Sequence, residues 1–334
     1  MLIMAVKRVV ECVPNFSEGR RPEVVQQIAD AIASVEDVRV LHIDRGEAAN
    51  RTVITFIGES GSVVEAAFRG VQKAGELIDM RQQHGEHPRI GATDVLPLIP
   101  IEGITLDECA QLARQLALRI ADEARIPCYL YEASALRPER KNLAVCRAGE
   151  YEQLPQKLAI PDLAPDYGTR PYDEGIARTG CTVVGARELL LAVNFNLNTT
   201  SAQLANDIAR RVRAKGHNGI RGTLPSTKAL GWYIEEYGIA QVSMNLCSLS
   251  TTPLHIAYEE VCRQAAAMGL QVTGTEIIGL VPESTLLAAA RYFLAKQGKP
   301  ADGQDKDELV SMAVKAMHLD DLFPFDLNKK VLKV

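Results

Sequence analysis

The chain has 334 residues, enough for two domains or one large one. Hydrophobic residues at 47% and charged residues at 24% are ordinary for a globular protein, so a substantial core needs no disulfide or metal staples. The net charge of −5, with both signs mixed, lacks the basic field that non-specific nucleic-acid binding requires; an anionic ligand would need a local cluster of Arg and Lys.

The first half opens with a strand at Val9–Val13, followed by a helical stripe of Val24, Val25, Ile28 and Ile32. Val38–Ile43 and Val53–Ile57 read as strands, and Val63, Val64, Ala67, Val71, Ala74 and Ile78 mark a long helix. Val95–Ile101 returns as a strand. Thr105 with Glu108 forms a capping-box signature for a helix carrying Leu112, Leu116 and Ile120, and Tyr129–Tyr131 is a last short strand. An irregular stretch, Arg147–Thr182, is rich in Pro and Gly, and such a segment inside a compact chain is usually functional or a linker.

The second half repeats the plan, with a strand at Leu189–Phe195 and a second capping box at Thr200 and Gln203. Ala229–Ile234 and Ile239–Leu246 pair as strands. Thr252 is expected to cap a helix with Pro253 at its first position, before a strand at Val272–Ile278 and a helix at Leu286–Leu294. Each half therefore reads strand–helix–strand–strand–helix–strand. The expected class is α+β, two ferredoxin-like (split βαβ) subdomains, each a sheet covered by helices, with bounds 1–182 and 183–334. The seven cysteines hold no CxxC pair, and Lys7 and Arg8 break the apolar start, so reduced thiols and a cytoplasmic setting are expected. No run approaches the roughly 20 apolar residues of a membrane span.

The densest polar cluster is His84-Gly-Glu-His-Pro-Arg89, followed by Gly91-Ala-Thr-Asp94. It offers proton transfer and anion binding together. A metal site and an ordinary surface loop are the competing readings; His84 and His87 supply two ligands at most. Asp44-Arg-Gly46 through Asn50-Arg-Thr52 is either a solvated hairpin or an acid at a strand end. The turn Val13-Pro-Asn-Phe-Ser-Glu-Gly19, with Asn15 in it, could hold an anion on its backbone. Arg221–Lys228 reads as a mobile basic loop without Walker spacing, Trp232 and Tyr233 as core or interface, and His255 as structural.

Glu11-Cys-Val-Pro-Asn-Phe-Ser-Glu-Gly19, Asn50-Arg-Thr52, His84-Gly-Glu-His-Pro-Arg89, Arg147-Ala-Gly-Glu-Tyr151, Ala164-Pro-Asp-Tyr-Gly168, Gly185-Ala-Arg187 and Gly279-Leu-Val-Pro282 together resemble glutamate formimidoyltransferase. In animals that domain is fused to a cyclodeaminase. The resemblance implies a homodimer, a folate tunnel between the subdomains, and tetrahydrofolate as cosubstrate with no metal. It places the acid–base residue at His87, a buried acid at Asp44, and folate contacts along Gly168–Gly180, including Thr169. A chain of this length leaves no room for a deaminase domain, so a separate cyclodeaminase is expected.

The chemistry suits these residues. The donor, N-formiminoglutamate, carries an amidinium that a carboxylate, Asp44 or Glu86, would stabilise. A histidine near neutral pH can move a proton from the pterin N5 to the leaving nitrogen. Arg51, Arg89, Arg178 and Lys228 are candidates for the carboxylates of formiminoglutamate and folate, with Asn15, Asn50 and Gly180 completing the expected binding set. The rival readings are formyl transfer from N-formylglutamate, a non-catalytic folate-binding protein, and a metal-dependent hydrolase.

Overall fold

The computed structural model describes residues 8–47, 49–85, 88–235, 237–301 and 303–332. The chain divides into two α+β units, Met1–Arg187 and Glu188–Val334. In the first, β1 (Val9–Cys12) and β2 (Asn15–Phe16) are one line of chain, interrupted at Pro14, which has no N–H to give to a ladder. Helix α1 (Pro22–Ala33) starts with proline at its first position and buries Val24, Val25, Ile28, Ala29 and Ile32, the stripe read from the sequence. Then come β3 (Val38–Gly46), β4 (Arg51–Glu59), α2 (Ser60–Leu77), β5 (Thr93–Glu102) and α3 (Leu106–Arg119). The capping box at α3 forms as read: Glu108 N donates to Thr105 Oγ1 at 3.2 Å, and Thr105 N donates to Glu108 Oε2 at 2.8 Å.

Strand β6 (Cys128–Glu132) follows. Three short helices, α4 (Leu143–Arg147), α5 (Leu154–Leu158) and α6 (Glu174–Thr179), then lead to β7 (Thr182–Ala186). The sheet runs β3, β4, β1 with β2, β5, β7, β6. Neighbours among its first four lines are antiparallel, while β7 is parallel to both β5 and β6. Because Thr182–Ala186 is bonded on both edges inside this sheet, the first unit closes at Arg187 and not at Thr182. One face packs Val10, Cys12, Phe16, Ile54, Phe56, Leu96 and Leu98 against α1–α3. On the opposite face, Val95, Tyr129, Tyr131 and Val183 pack with Cys146, Leu154, Leu158 and Ile176 of the short helices.

The second unit contains β8 (Leu191–Leu197), α7 (Ala202–Val212), β9 (Thr227–Ile234), β10 (Ile239–Leu246), α8 (Leu254–Ala266) and β11 (Val272–Ile278). Its sheet order is β11, β8, β10, β9, antiparallel throughout. Further elements are β12 (Val281–Pro282), α9 (Glu283–Lys296), α10 (Lys306–Ala316), α11 (Leu327–Lys330) and β13 (Val331–Leu332).

Two expected caps move by one residue. Ser201, not Thr200, accepts from Leu204 N. Pro253 is itself the cap of α8, because the Thr252 hydroxyl donates instead to Pro225 O at 2.6 Å. The loop read as mobile is pinned where Thr223 N and Leu224 N donate to Arg211 O and Val212 O, at 3.0 and 2.9 Å. Trp232 and Tyr233 are not core; they lie on the edge strand β9, 40% and 42% exposed. His255 is buried against the Tyr292 ring, 4.5 Å between centroids. Among the described residues no helix is long and apolar enough to cross a membrane.

Helix α7 crosses β9 at Gly231, where a Cβ would lie 1.9 Å from Asn206 N. Backbone cannot yield there as a flexible side chain would. Gly231→Ala is therefore expected to destabilise the second unit by at least about 1–3 kcal/mol, read as a lower denaturant midpoint; an unchanged midpoint would refute this packing.

Candidate functional site

Glu86 and His87 lie outside the described residues, but both stems of their loop are described. Asn50, with a left-handed φ of 47°, donates from Nδ2 to His84 O and accepts from Gly19 N, both at 2.9 Å. Gln83 Nε2 donates to Asn50 O at 2.9 Å. Gly85 approaches so closely that a Cβ would meet Ala49 O at 2.3 Å. On the far stem, Arg89 is buried. Its Nε donates to Gln83 Oε1 at 2.8 Å, and its two NH groups reach Gln83 O, Glu152 and Glu150. That is one acceptor for each of its five donors, so Arg89 is a brace of the loop.

In the expected anion-binding turn, Ser17 N donates to Ala92 O and Gly19 N to Asn50 Oδ1, both at 2.9 Å. Glu18 Oε1 accepts from Arg20 N and Arg21 N at 2.8 and 2.9 Å, leaving those amides no vacancy for a substrate. A cleft of about 310 Å³ beside the stem is lined by Glu18, Arg20, Arg21, Asn50, Asp79 and Gln83, among others.

Strand register brings other expected residues together. Asp44 lies opposite Val53, and Val53 opposite Asn15, so the three form one row across the sheet. Asn15 is buried and donates to Val13 O at 2.9 Å. Asp44 is exposed, contrary to the buried acid the resemblance implied, because β3 is the outermost strand. The buried acid nearby is Asp94, 1% exposed, which accepts from Ile90 N and is paired with Arg147. Burial pushes the Asp94 carboxyl up, and Arg147 opposes that. Arg51, on the same face as Asp44 and two residues from Val53, has its pKa lowered by burial. Asp94 and Asp44 counter this shift and Arg147 adds to it. Its Nε is buried without a hydrogen-bond partner.

The end of the 164–180 stretch, continuing to Cys181, runs beside Ile90–Ala92. Ala92 N donates to Thr179 O at 2.8 Å, Cys181 N to Ile90 O at 3.0 Å, and Gly91 bridges Gly180. Gly180, at φ 65°, is required there: a Cβ would meet Ile90 O at 2.3 Å. Gly168 also takes a left-handed φ, 71°, and Thr169 Oγ1 donates to Pro165 O. Arg178 caps the end of α2, its NH2 donating to Glu76 O at 2.6 Å. Asp166 forms a buried pair with Arg140 at 2.8 Å. Lys228 is exposed on β9 of the second unit. Gln83, Glu152 and the pairing of Arg147 with Asp94 were not anticipated; the only signal was the recurrence of Arg147-Ala-Gly-Glu-Tyr151 among the family motifs. Among the described residues, no group of three or more His, Cys, Asp and Glu is placed to hold a metal ion.

Two α+β units stand in tandem, the first with a polar loop whose stems are braced beside the pair of Arg147 with Asp94. The formiminotransferase domain, N-terminal subdomain, matches residues 9–187, and the formiminotransferase domain matches 192–334: the chain belongs to the formiminotransferase domain family. It is 41% identical over 327 residues to a formimidoyltransferase-cyclodeaminase of Gallus gallus, covering 98% of this chain and 59% of that protein. It thus spans about three fifths of the length of such animal relatives. It is also 42% identical over 291 residues to a glutamate formimidoyltransferase of Thermoplasma acidophilum, covering 86% of this chain and 93% of the relative. A glutamate formimidoyltransferase of Streptococcus pyogenes is 43% identical over 287 residues, with the same coverages.

Glu11, in the middle of β1 and 4% exposed, gives this unit a pH dependence. Burial raises its pKa from 4.5 to about 7, with Arg187 opposing. The folded state therefore holds a proton that the unfolded chain releases, and the associated stability is full below about pH 4.5 and lost as pH rises through 7. The shift corresponds to roughly 3 kcal/mol. Glu11→Gln should flatten the fall in stability between pH 5 and pH 8, followed by denaturant melts; an equally steep fall in the variant would contradict it.

Proposed function

We propose that the chain transfers the formimino group of N-formiminoglutamate to tetrahydrofolate, giving 5-formiminotetrahydrofolate and glutamate. The observation that carries this reading is its 42–43% identity to two glutamate formimidoyltransferases over 93% of their length. The pterin N5 attacks the formimino carbon, giving an intermediate with three nitrogens on one carbon. His87 takes the N5 proton and delivers it to the glutamate nitrogen as that carbon–nitrogen bond breaks. A carboxylate, Asp44 or Glu86, stabilises the amidinium charge.

Arg51 is the cation best suited to a substrate carboxylate, since its Nε keeps a donor free of protein partners while Arg89 and Arg178 are engaged. Folate contacts are assigned to Gly168–Gly180 with Thr169, and Lys228 to a carboxylate from the second unit. The β8-α7-β9-β10-α8-β11 order and its sheet order support reading that unit as ferredoxin-like, and β1 to β5 support the same for the first. A homodimer served by a separate cyclodeaminase completes the proposal.

His87→Ala is expected to lower kcat roughly 10²–10⁴-fold, with His84→Ala costing far less. Equal losses rescued by a divalent metal would instead favour a shared metal site. Arg51→Lys should raise the KM for formiminoglutamate about tenfold or more with a smaller change in kcat, since Lys cannot form the planar fork; an unchanged KM removes Arg51 from the site. Turnover of N-formiminoglutamate and N-formylglutamate, with and without tetrahydrofolate, separates this reaction from formyl transfer and from hydrolysis.

A further inference from the structure

The motif Arg147-Ala-Gly-Glu-Tyr151 has no part in the chemistry above, yet with Glu152 it meets the descending arm of the loop at three points. Arg147 pairs with Asp94, Tyr151 N donates to Arg89 O at 2.9 Å, and Glu152 takes Arg89 in a two-point fork at 2.6 and 3.0 Å. The segment is bent to do so: Gly149 and Glu150 are consecutive left-handed residues, at φ 80° and 52°. A left-handed glutamate is an uncommon conformation, maintained here by the contacts on either side. The other stem is tied through Gln83 and Asn50. Arg89 joins the two systems, since its Nε bonds Gln83 and its terminal nitrogens bond Glu152.

We propose that residues 147–152 are a positioning element for the loop 84–88, with Arg89 and Glu152 as the positioning pair. This deepens the reading of His87 as the acid–base residue and rests on it. A proton moved between two nitrogens of one intermediate demands close placement of the shuttle, and a 1 Å error costs on the order of 10²-fold. The effect belongs in kcat, because neither side chain is offered to a substrate.

The test is steady-state kinetics of Arg89→Lys, Glu152→Gln and their combination, beside His87→Ala and thermal melts of each. Arg89→Lys keeps the charge and loses the fork. It should lower kcat about 10–100-fold, and Glu152→Gln about 3–10-fold, with KM for both substrates within about twofold. The double variant should be no worse than Arg89→Lys, since both remove one contact. Single variants with kcat within about twofold of the parent, or losses appearing mainly in KM, overturn the proposal. If Arg89→Lys does not fold, Glu152→Gln decides by the same criteria, its side chain being 57% exposed. Full activity in His87→Ala would instead sink the reading of the loop, and this proposal with it.

Discussion

Taking a guanidinium out of water is costly unless acceptors meet its donors, and Arg89 collects its acceptors from two segments of the chain. Gln83 approaches from the same loop, and Glu150 and Glu152 from a turn some sixty residues later. Gln83 in turn binds Asn50, and Asn50 binds Gly19 and His84. The connector between α2 and β5 is thereby tied to the turn after β2, to the head of β4 and to the segment after α4. Removing Arg89 would leave the Gln83 carbonyl and carboxamide oxygen without their donor, so the cost of losing it exceeds that of a surface ion pair.

The sheet explains why that junction falls where it does. Strands β7 and β6 extend β5 in parallel, and reaching parallel register requires long crossovers. The second crossover is the irregular stretch whose short helices cover the β5–β7–β6 half of the face. Its return, Thr179–Cys181, runs beside Ile90–Ala92 and exchanges backbone hydrogen bonds with it, just past the polar loop. The same crossover thus covers the core and braces the polar loop.

Periodic elements were legible from sequence, and their ends less so. The stripe in α1 and the capping box at Thr105 were written in side chains that act locally. Thr200 and Thr252 failed as caps because hydroxyls one residue apart compete, and the Thr252 hydroxyl found a distant carbonyl, Pro225 O, instead. Asp44 was read as a buried acid, but burial depends on where β3 lies in the sheet, which spacing does not encode. Glu152 was invisible for the same reason. Its partner is 63 residues away, and no local pattern distinguishes a glutamate that holds Arg89 from one in water.

The arrangement of charge on the sheet face suits the proposed donor. Formiminoglutamate carries an amidinium at one end of a short skeleton and a side-chain carboxylate at the other. On β4, Val53 lies beside Asp44, and Arg51 is two residues away, roughly 7 Å along the strand. Anion and cation are therefore presented in fixed order on one rigid surface, with opposite preference for the two ends of the substrate. Asp94 and Asp44 both act on Arg51, and Asp94 also pairs with Arg147, so two carboxylates balance two guanidinium groups in this cluster. On the proposed reading, the same pair that braces β5 also leaves Arg51 a donor to give.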